Sequence, residues 1–389
     1  MMNSPASHEL AAMAADCFLI PGELKDISHF GNGLINDTFL VRYQDESNEK
    51  SYILQRINHH VFRNPQSLMQ NVQRVCEHIR KRLKQENDHA SRCLRLIPTR
   101  EQSYHVELQS DGTTDRSFWR CFDFISGCTS HDVLETPEQA YQAARKFGQF
   151  QHWVADLGGP RLDETIPDFH NTPKRFQALL DAIQADPLGR AADCQPEIES
   201  ALSRQAVAEH LLSLHAMGQI PERVTHNDTK LSNVLIDNAT GEGVCVVDLD
   251  TVMPGLSLYD FGDLVRTCVS PAPEDHEDLA AIEVRAPIFQ ALARGFLEEM
   301  SDVLTPCEIA NLAFSGRLLT YEVALRFLTD HIMGDPYFGA KRPNHNLSRA
   351  RNQLQLVRCL EAKEPEMNQY IDQLSGIQIN PQHRLQIPN

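Results

Sequence analysis

Between residues 226 and 250 the chain reads HNDTKLSNVLIDNATGEGVCVVDLD, and no other stretch constrains its fold as strongly. Two short apolar runs, Val234-Leu235-Ile236 and Val244-Cys245-Val246-Val247, flank the polar turn Asp237 to Gly243, the pattern of a β-hairpin. The ends of the ribbon carry the polar groups. His226, Asp228 and Asn233 stand before it in the spacing H-x-D-x-x-x-x-N, and Asp248 and Asp250 stand after it. An amide oxygen and carboxylates on one stiff turn suit a hard divalent cation, and a further carboxylate suits the proton of a hydroxyl.

Phosphoryl transfer needs that set: one carboxylate to orient the attacking hydroxyl, and an Asn and an Asp to hold Mg²⁺ against a triphosphate. Protein-kinase catalytic loops have the same frame, with a metal-binding Asp some way downstream. Here Asp248-Leu249-Asp250 replaces D-F-G, and in this the chain resembles the aminoglycoside phosphotransferase and choline kinase branch of small-molecule kinases. Within that branch, FGNGLINDTFLV at 30–41, HNDTKLSNVL at 226–235 and DLDTVMPGLSLYDFGDLVR at 248–266 resemble the bacterial N-acetylhexosamine 1-kinases. The likeness extends more weakly from residue 24 to residue 340. It implies an α+β, protein-kinase-like fold of two lobes, a small antiparallel β lobe and a larger helical one, that uses ATP and Mg²⁺ and accepts a sugar hydroxyl.

Residues 8–20 fit a short helix before Pro21-Gly22. Strands are expected over 27–30, 38–43 and 52–57, with Gly31-Asn32-Gly33-Leu34-Ile35-Asn36 between the first two. Glycines there let backbone N–H groups approach phosphate oxygens, so Gly31, Gly33 and Asn36 are candidate nucleotide contacts. A tight hairpin turn is the plainer alternative. The third strand, YILQRIN, ends where kinases place a phosphate-pairing Lys, and this sequence offers only Gln55 or Arg56. Alternation lets one of them face the cleft. Arg56 has the charge and the bidentate fork, so the reading takes Arg56, with Glu77 as its partner on a helix that Asn64-Pro65 opens. Strands at 104–108 and 117–125, with a turn at Ser110-Asp111-Gly112, complete the sheet. Phe124 then falls in the segment joining the lobes, where backbone groups would bind adenine.

Thr136-Pro137-Glu138-Gln139 reads as a capping box, and from there the pattern is helical, with further caps at Thr172-Pro173 and Thr305-Pro306-Cys307-Glu308. Three units follow: 1–126 for nucleotide binding, 127–377 for catalysis and acceptor binding, and a tail at 378–389. A Gly- and Pro-punctuated loop carries Asp163, Asp168, His170 and Arg175. Its F-H-x-T-P segment is similar to one bordering the sugar site of N-acetylhexosamine kinases, which makes His170 a candidate substrate contact. On the helix LLTYEVALRFLTDHIM, Leu319, Val323 and Phe327 share one face and Glu322, Arg326 and Asp330 another. A salt-bridge ladder is one reading of the second stripe; substrate contact by Arg326 or Asp330 is the other.

In the expected mechanism Asp228 orients the acceptor hydroxyl, His226 braces its loop and Lys230 neutralises charge on the moving phosphoryl group. Asn233 and Asp248 bind Mg²⁺, joined by Asp250. Asp260 and Asp263 are read as structural, at a helix start. The sequence also admits two rival readings. Val246 to Val252 also fits the D-x-D-x-T/V motif of haloacid-dehalogenase phosphatases, but that leaves H-x-D-x-x-x-x-N unexplained. A catalytically silent binding module would have lost Asp228, Asn233 or Asp248, and none is lost. The formal charge of −17 argues against nucleic acid or anionic membrane as a partner. Ten scattered cysteines without C-x-x-C, and an N-terminus with no basic n-region, lead to an expected cytoplasmic protein, monomer or dimer, without a signal peptide.

Overall fold

A computed structural model describes residues 5–31, 35–46, 48–85, 92–109, 116–376 and 383–385. Gly33, the turn at Ser110-Asp111-Gly112 and most of the expected tail lie outside them. The chain divides into two compact units: Met1–Cys128 with Leu157–Pro167 and Val244–Met253, and Thr129–Asp156 with Asp168–Gly243 and Pro254–Asn389.

In the first unit α1 (Pro5–Asp16) precedes β1 (Glu23–His29), β2 (Asp37–Asp45) and β3 (Asn48–Ile57); α2 (Pro65–Gln85) follows, then β4 (Val106–Gln109) and β5 (Arg116–Asp123). The strands form one antiparallel sheet in the order β1-β2-β3-β5-β4. Alternation sorts its faces. Phe39, Val41, Tyr52, Leu54, Trp119 and Cys121 join Ala11, Ala14 and Ala15 of α1 in a buried core. Small alanines let the helix lie close over these large side chains. Arg56 is registered opposite Asp37 and Trp119 and so continues this face, whereas Gln55 is registered opposite Thr38 and Arg120 on the other. Asn64 starts α2 by accepting the Ser67 N–H at 3.1 Å.

The chain passes between units through β6 (Cys128–Thr129). The second unit is helical: α3 (Pro137–Val154), α4 (Thr172–Ala185), α5 (Gln195–Leu202), α6 (Gln205–Ala216), α7 (Ser257–Cys268), α8 (Ala286–Met300), α9 (Pro306–Ala310), α10 (Leu312–Met333) and α11 (His345–Ser375). The capping boxes at Thr136 and Thr305 both form. Between α6 and α7 run β7 (Arg223–Thr225), β8 (Val234–Asp237), β9 (Gly243–Val246), which leads into the first unit, and β10 (Met253–Gly255), which leads back. The turn after β8 is tied by Asp237, whose N–H donates to Glu242 O and whose carboxylate accepts the Ala239 and Thr240 N–H groups. α7 and α10 approach closely at Gly262, where a Cβ would stand 2.5 Å from the Ser315 carbonyl oxygen. No helix among the described residues is long and apolar enough to cross a membrane.

Candidate active site

In the second unit the loop after β7 is held from below by α7. Asp260 is fully buried, and its two carboxylate oxygens accept the backbone N–H groups of His226, at 2.9 Å, and Asn227, at 2.7 Å. Gln151 of α3 donates to the same carboxylate at 2.5 Å. One turn on, Asp263 accepts the Thr229 N–H at 3.0 Å, and Thr229 Oγ1 donates to the Asp260 carbonyl at 2.6 Å. Asp263 is itself backed by ion pairs that run through Arg266 and Glu274 to Arg349. The loop backbone needs this support, because Asn227 adopts φ +65°, a left-handed conformation disfavoured for a side chain with a Cβ. Burial pushes the Asp260 carboxyl above the usual range, although His226 and the donated hydrogen bonds pull the other way.

Four sequence candidates meet on this loop. His226 packs its ring edge against Phe147 and Phe150, at 5.2 and 5.7 Å between centroids, and its Nδ1 accepts the Asp228 N–H at 3.3 Å. That geometry braces the loop. Asp228 Oδ2 accepts from Lys230 Nζ at 3.0 Å and from Asn233 Nδ2 at 2.8 Å, while the carboxylate side chain remains 31% exposed. Burial raises its pKa, but Lys230, His226 and the Asn233 amide together outweigh burial and hold it below the usual range. Such a carboxylate orients a hydroxyl better than it deprotonates one. Since Asn233 Nδ2 also donates to the Asp228 carbonyl at 2.8 Å, the amide is fixed with its oxygen as the remaining donor atom to a ligand.

The first unit holds Asp248 and Asp250. Asp248 has φ +60° and ψ +61° and opens the 3₁₀ turn Leu249–Thr251. A non-glycine residue keeps such a conformation only where its surroundings over-determine it, which happens most at functional sites. Asp250 is buried, with Oδ1 paired to Arg120 Nη1 and Oδ2 accepting from Asn36 Nδ2 at 2.6 Å. Asn71 of α2 ties the same segment down by donating to Val252 O at 3.1 Å and to Asp163 O at 2.7 Å.

Several expectations change. Arg56 pairs with Asp37, and Glu77 accepts from Gln73 at 2.9 Å, so the expected Arg56–Glu77 pair does not form. Strand register is the cause: Arg56 lies on the face shared with α1, and the cation on the opposite face is Arg120, from β5. Asn36 turns its amide inward to Asp250 and accepts the Asn58 N–H, so its side chain is engaged within the unit. Gly31, at φ +74°, has nothing within 4 Å of where a Cβ would stand. Phe124 follows β5, its N–H 3.4 Å from Ser51 O and its ring edge-on to Phe30. His170 engages both ring nitrogens inside the protein, Nδ1 with Glu322 at 2.8 Å and Nε2 with the Asn227 carbonyl at 3.3 Å. No ring nitrogen is left for a sugar. Asp330 is likewise occupied, by the Tyr337 and Phe338 N–H groups and the Asn346 amide. It shapes the bend that places Tyr337 and Phe338 near Arg326.

Arg326 alone of the three substrate candidates keeps an open aspect. Its guanidinium lies over Phe169, Tyr337 and Phe338 at 5.3–5.6 Å from the ring centroids, beside a Tyr337 that is 64% exposed. Next to it Arg175 donates Nη2 to the Asp168 and Phe169 carbonyls, and its buried Nε has no acceptor. Burial, followed by the charge of Arg326, lowers the Arg175 pKa. Phe169 adjoins His170, so this cationic and aromatic patch is joined to the Asn227–Asp228 loop through one side chain.

No group of three His, Cys, Asp or Glu side chains among the described residues is arranged to hold a metal unaided. Mg²⁺ does not require one, because beside phosphates it takes one or two protein oxygens and keeps its waters. Asn233 Oδ1 in the second unit and the Asp248 carboxylate in the first are each oxygen donors of the kind that cation takes.

The family model described as the phosphotransferase enzyme family matches residues 26–295. Among solved structures, a microcompartment-associated aminopropanol kinase is 16% identical, with 93% of this chain and 98% of that one covered and a TM-score of 0.59. Choline kinase from Cryptosporidium parvum Iowa II is 12% identical, covering 92% and 97%, with a TM-score of 0.54. A spectinomycin phosphotransferase in complex with ADP and spectinomycin is 14% identical, covering 92% and 98%, with a TM-score of 0.51. At such identities the likeness establishes the kinase-like α+β fold, and the match over 26–295 establishes the lineage: the chain belongs to the phosphotransferase enzyme family.

Proposed function

We propose that the protein is an ATP-dependent kinase of a neutral sugar, transferring the γ-phosphate to the anomeric hydroxyl of an N-acetylhexosamine. The observation that carries the choice of acceptor is the patch of Arg326 and Arg175 beside the Asp228 loop. An amino alcohol brings an ammonium, which needs carboxylates or bare aromatic faces. Here guanidinium groups already occupy the aromatic faces and would repel it. A neutral, oxygen-rich acceptor instead offers what Arg175 Nε lacks. The N-acetyl group and the anomeric position come from the resemblance of the three sequence segments.

Asp228 accepts the hydroxyl hydrogen bond and fixes the angle of attack. The acceptor oxygen then bonds to the γ-phosphorus as the bond to the bridging oxygen breaks, and the proton passes late to Asp228. Lys230, paired with Asp228 at 3.0 Å, would offset charge on the moving phosphoryl group. Asn233 and Asp248 would hold Mg²⁺, which when bound supplies charge neutralisation for the terminal phosphates. His226 positions Asp228. Gly31, Gly33 and Phe124 are proposed as backbone contacts to the nucleotide, in a unit spanning 1–126.

The test is a panel of N-acetylhexosamines, hexoses, amino sugars and amino alcohols with ATP and Mg²⁺, the product position read by phosphorus NMR. Turnover should be best with an N-acetylhexosamine and give a phosphate at the anomeric carbon. Preference for ethanolamine or another amino alcohol would overturn the reading.

A further inference from the structure

We infer that Asp250, gripped between Arg120 and Asn36, is a tether and not a metal ligand: it fixes the turn that presents Asp248 and joins that turn to the end of the glycine-rich segment. The inference rests on the role proposed above for Asp248. Both Asp250 oxygens are engaged by donors of the sheet, Arg120 Nη1 and Asn36 Nδ2. The Arg120 side chain is 1% exposed and that of Asp250 3%, so the pair is dry. A dication on the same carboxylate would stand beside the guanidinium where little solvent screens the repulsion.

The tether is itself braced. Arg120 Nε donates to Gln55 Oε1 at 3.0 Å, and Gln55 Nε2 donates to Thr38 Oγ1 at 3.0 Å, so β5, β3 and β2 all hold the cation in place. On the other side Asn36 Oδ1 accepts the Asn58 N–H at 3.0 Å, and Asn58 Nδ2 donates to Ile35 O at 3.2 Å, which anchors the end of the glycine-rich segment. Asp248 lies two residues before Asp250 in a left-handed conformation that its own side chain disfavours. Fixing the following turn is what keeps it there. The sequence offers two acids, Asp248 and Asp250, as metal ligands; the burial of Asp250 and its two donors make it the one that anchors.

The test measures ADP affinity by calorimetry with and without Mg²⁺, and Mn²⁺ binding to the ADP complex by electron paramagnetic resonance. Asn36→Ala is the informative variant, because it removes one grip on Asp250, leaves the ion pair whole and frees a carboxylate oxygen. If Asp250 is a tether, Asn36→Ala weakens Mn²⁺ and the metal-dependent part of ADP binding about 10-fold, as loss of an outer support does. Metal-free ADP affinity and the cooperativity of melting stay as in the wild type. Unchanged or tighter metal binding overturns the inference and makes Asp250 a ligand or a bystander. Equal losses with and without metal also overturn it, since Asn36 would then touch the nucleotide itself. Asp248→Asn serves as the reference. Should it abolish the metal-dependent gain while Asn36→Ala does not, the tether alone falls; should Asp248→Asn retain that gain, the role given to Asp248 falls and the tether with it.

Discussion

Asp228 illustrates how the same carboxylate is prepared for one task by three neighbours. Lys230 and Asn233 hold its Oδ2, His226 holds its backbone, and together they keep it ionised in spite of burial. A group so stabilised as an anion contributes through placement, so Asp228→Ala should lower kcat by about 10³-fold while ADP affinity, measured by calorimetry, stays near the wild-type value. A variant keeping a tenth of the rate would contradict the assignment. Glu322 carries a different burden. It accepts from His170 at 2.8 Å and from Thr172 at 2.7 Å, and through His170 it reaches the carbonyl of Asn227. Glu322→Gln should therefore cost ~2–3 kcal/mol of stability, the size of a buried hydrogen bond to a charged group, seen as a lower denaturation midpoint. Little or no change would mean that the imidazole is held by packing against Tyr259 and Phe169 alone.

At the level of elements, α7 links fold and chemistry, since one helix supplies both carboxylates that hold the loop backbone. Its position depends on Gly262, where α10 leaves no room for a methyl group beside the Ser315 carbonyl. Gly262→Ala should cost ~1–3 kcal/mol through overpacking, and it should lower kcat as well, because Asp260 and Asp263 move with the helix. Thermal melts and a rate assay on the same sample check both; a destabilised variant with wild-type kcat would separate helix from loop. The capping boxes at Thr136 and Thr305, the start of α2 and the turn after β8 were legible because each depends on chemistry within a few residues. Arg56 was misplaced for a physical reason. In YILQRIN both strand faces are apolar, so alternation separates Gln55 from Arg56 without saying which face is inward, and the cation opposite Gln55 comes from β5. α10 misled in the same way. It is buried nearly all round, so a polar stripe on it does not mark solvent; Glu322 and Asp330 are internal acceptors, and the Glu322–Arg326–Asp330 ladder does not exist. No sequence spacing reports that Asp260 would accept the N–H groups of residues more than thirty positions earlier.

For the whole molecule a few paired carboxylates set the response to acid. Asp228, Glu274 and Glu322 each titrate below their ordinary values: burial works against ionisation in all three, and Lys230 for Asp228, Arg266 and Arg349 for Glu274, and His170 for Glu322 more than reverse it. A carboxylate with a depressed folded pKa gives stability that is complete above its unfolded value, 3.8 for Asp and 4.5 for Glu, and that is lost as pH falls through the folded value. Asp260 acts in the opposite sense. Its pKa is raised by burial, so it penalises the folded state as pH climbs from 3.8 through its folded value. Glu364, also raised by burial, acts in the same sense as Asp260, and so does net charge, because titrating a chain of −17 toward neutrality relieves self-repulsion until the ion pairs begin to protonate. The denaturation midpoint should hold or rise slightly as pH is lowered from 7 to about 5 and collapse only below about 4, where the paired carboxylates take up protons. Calorimetric scans across that range decide the matter. A midpoint already falling between pH 6 and 5 would show that protonation of a histidine, not of the Asp228, Glu274 and Glu322 pairs, is what first loosens the protein.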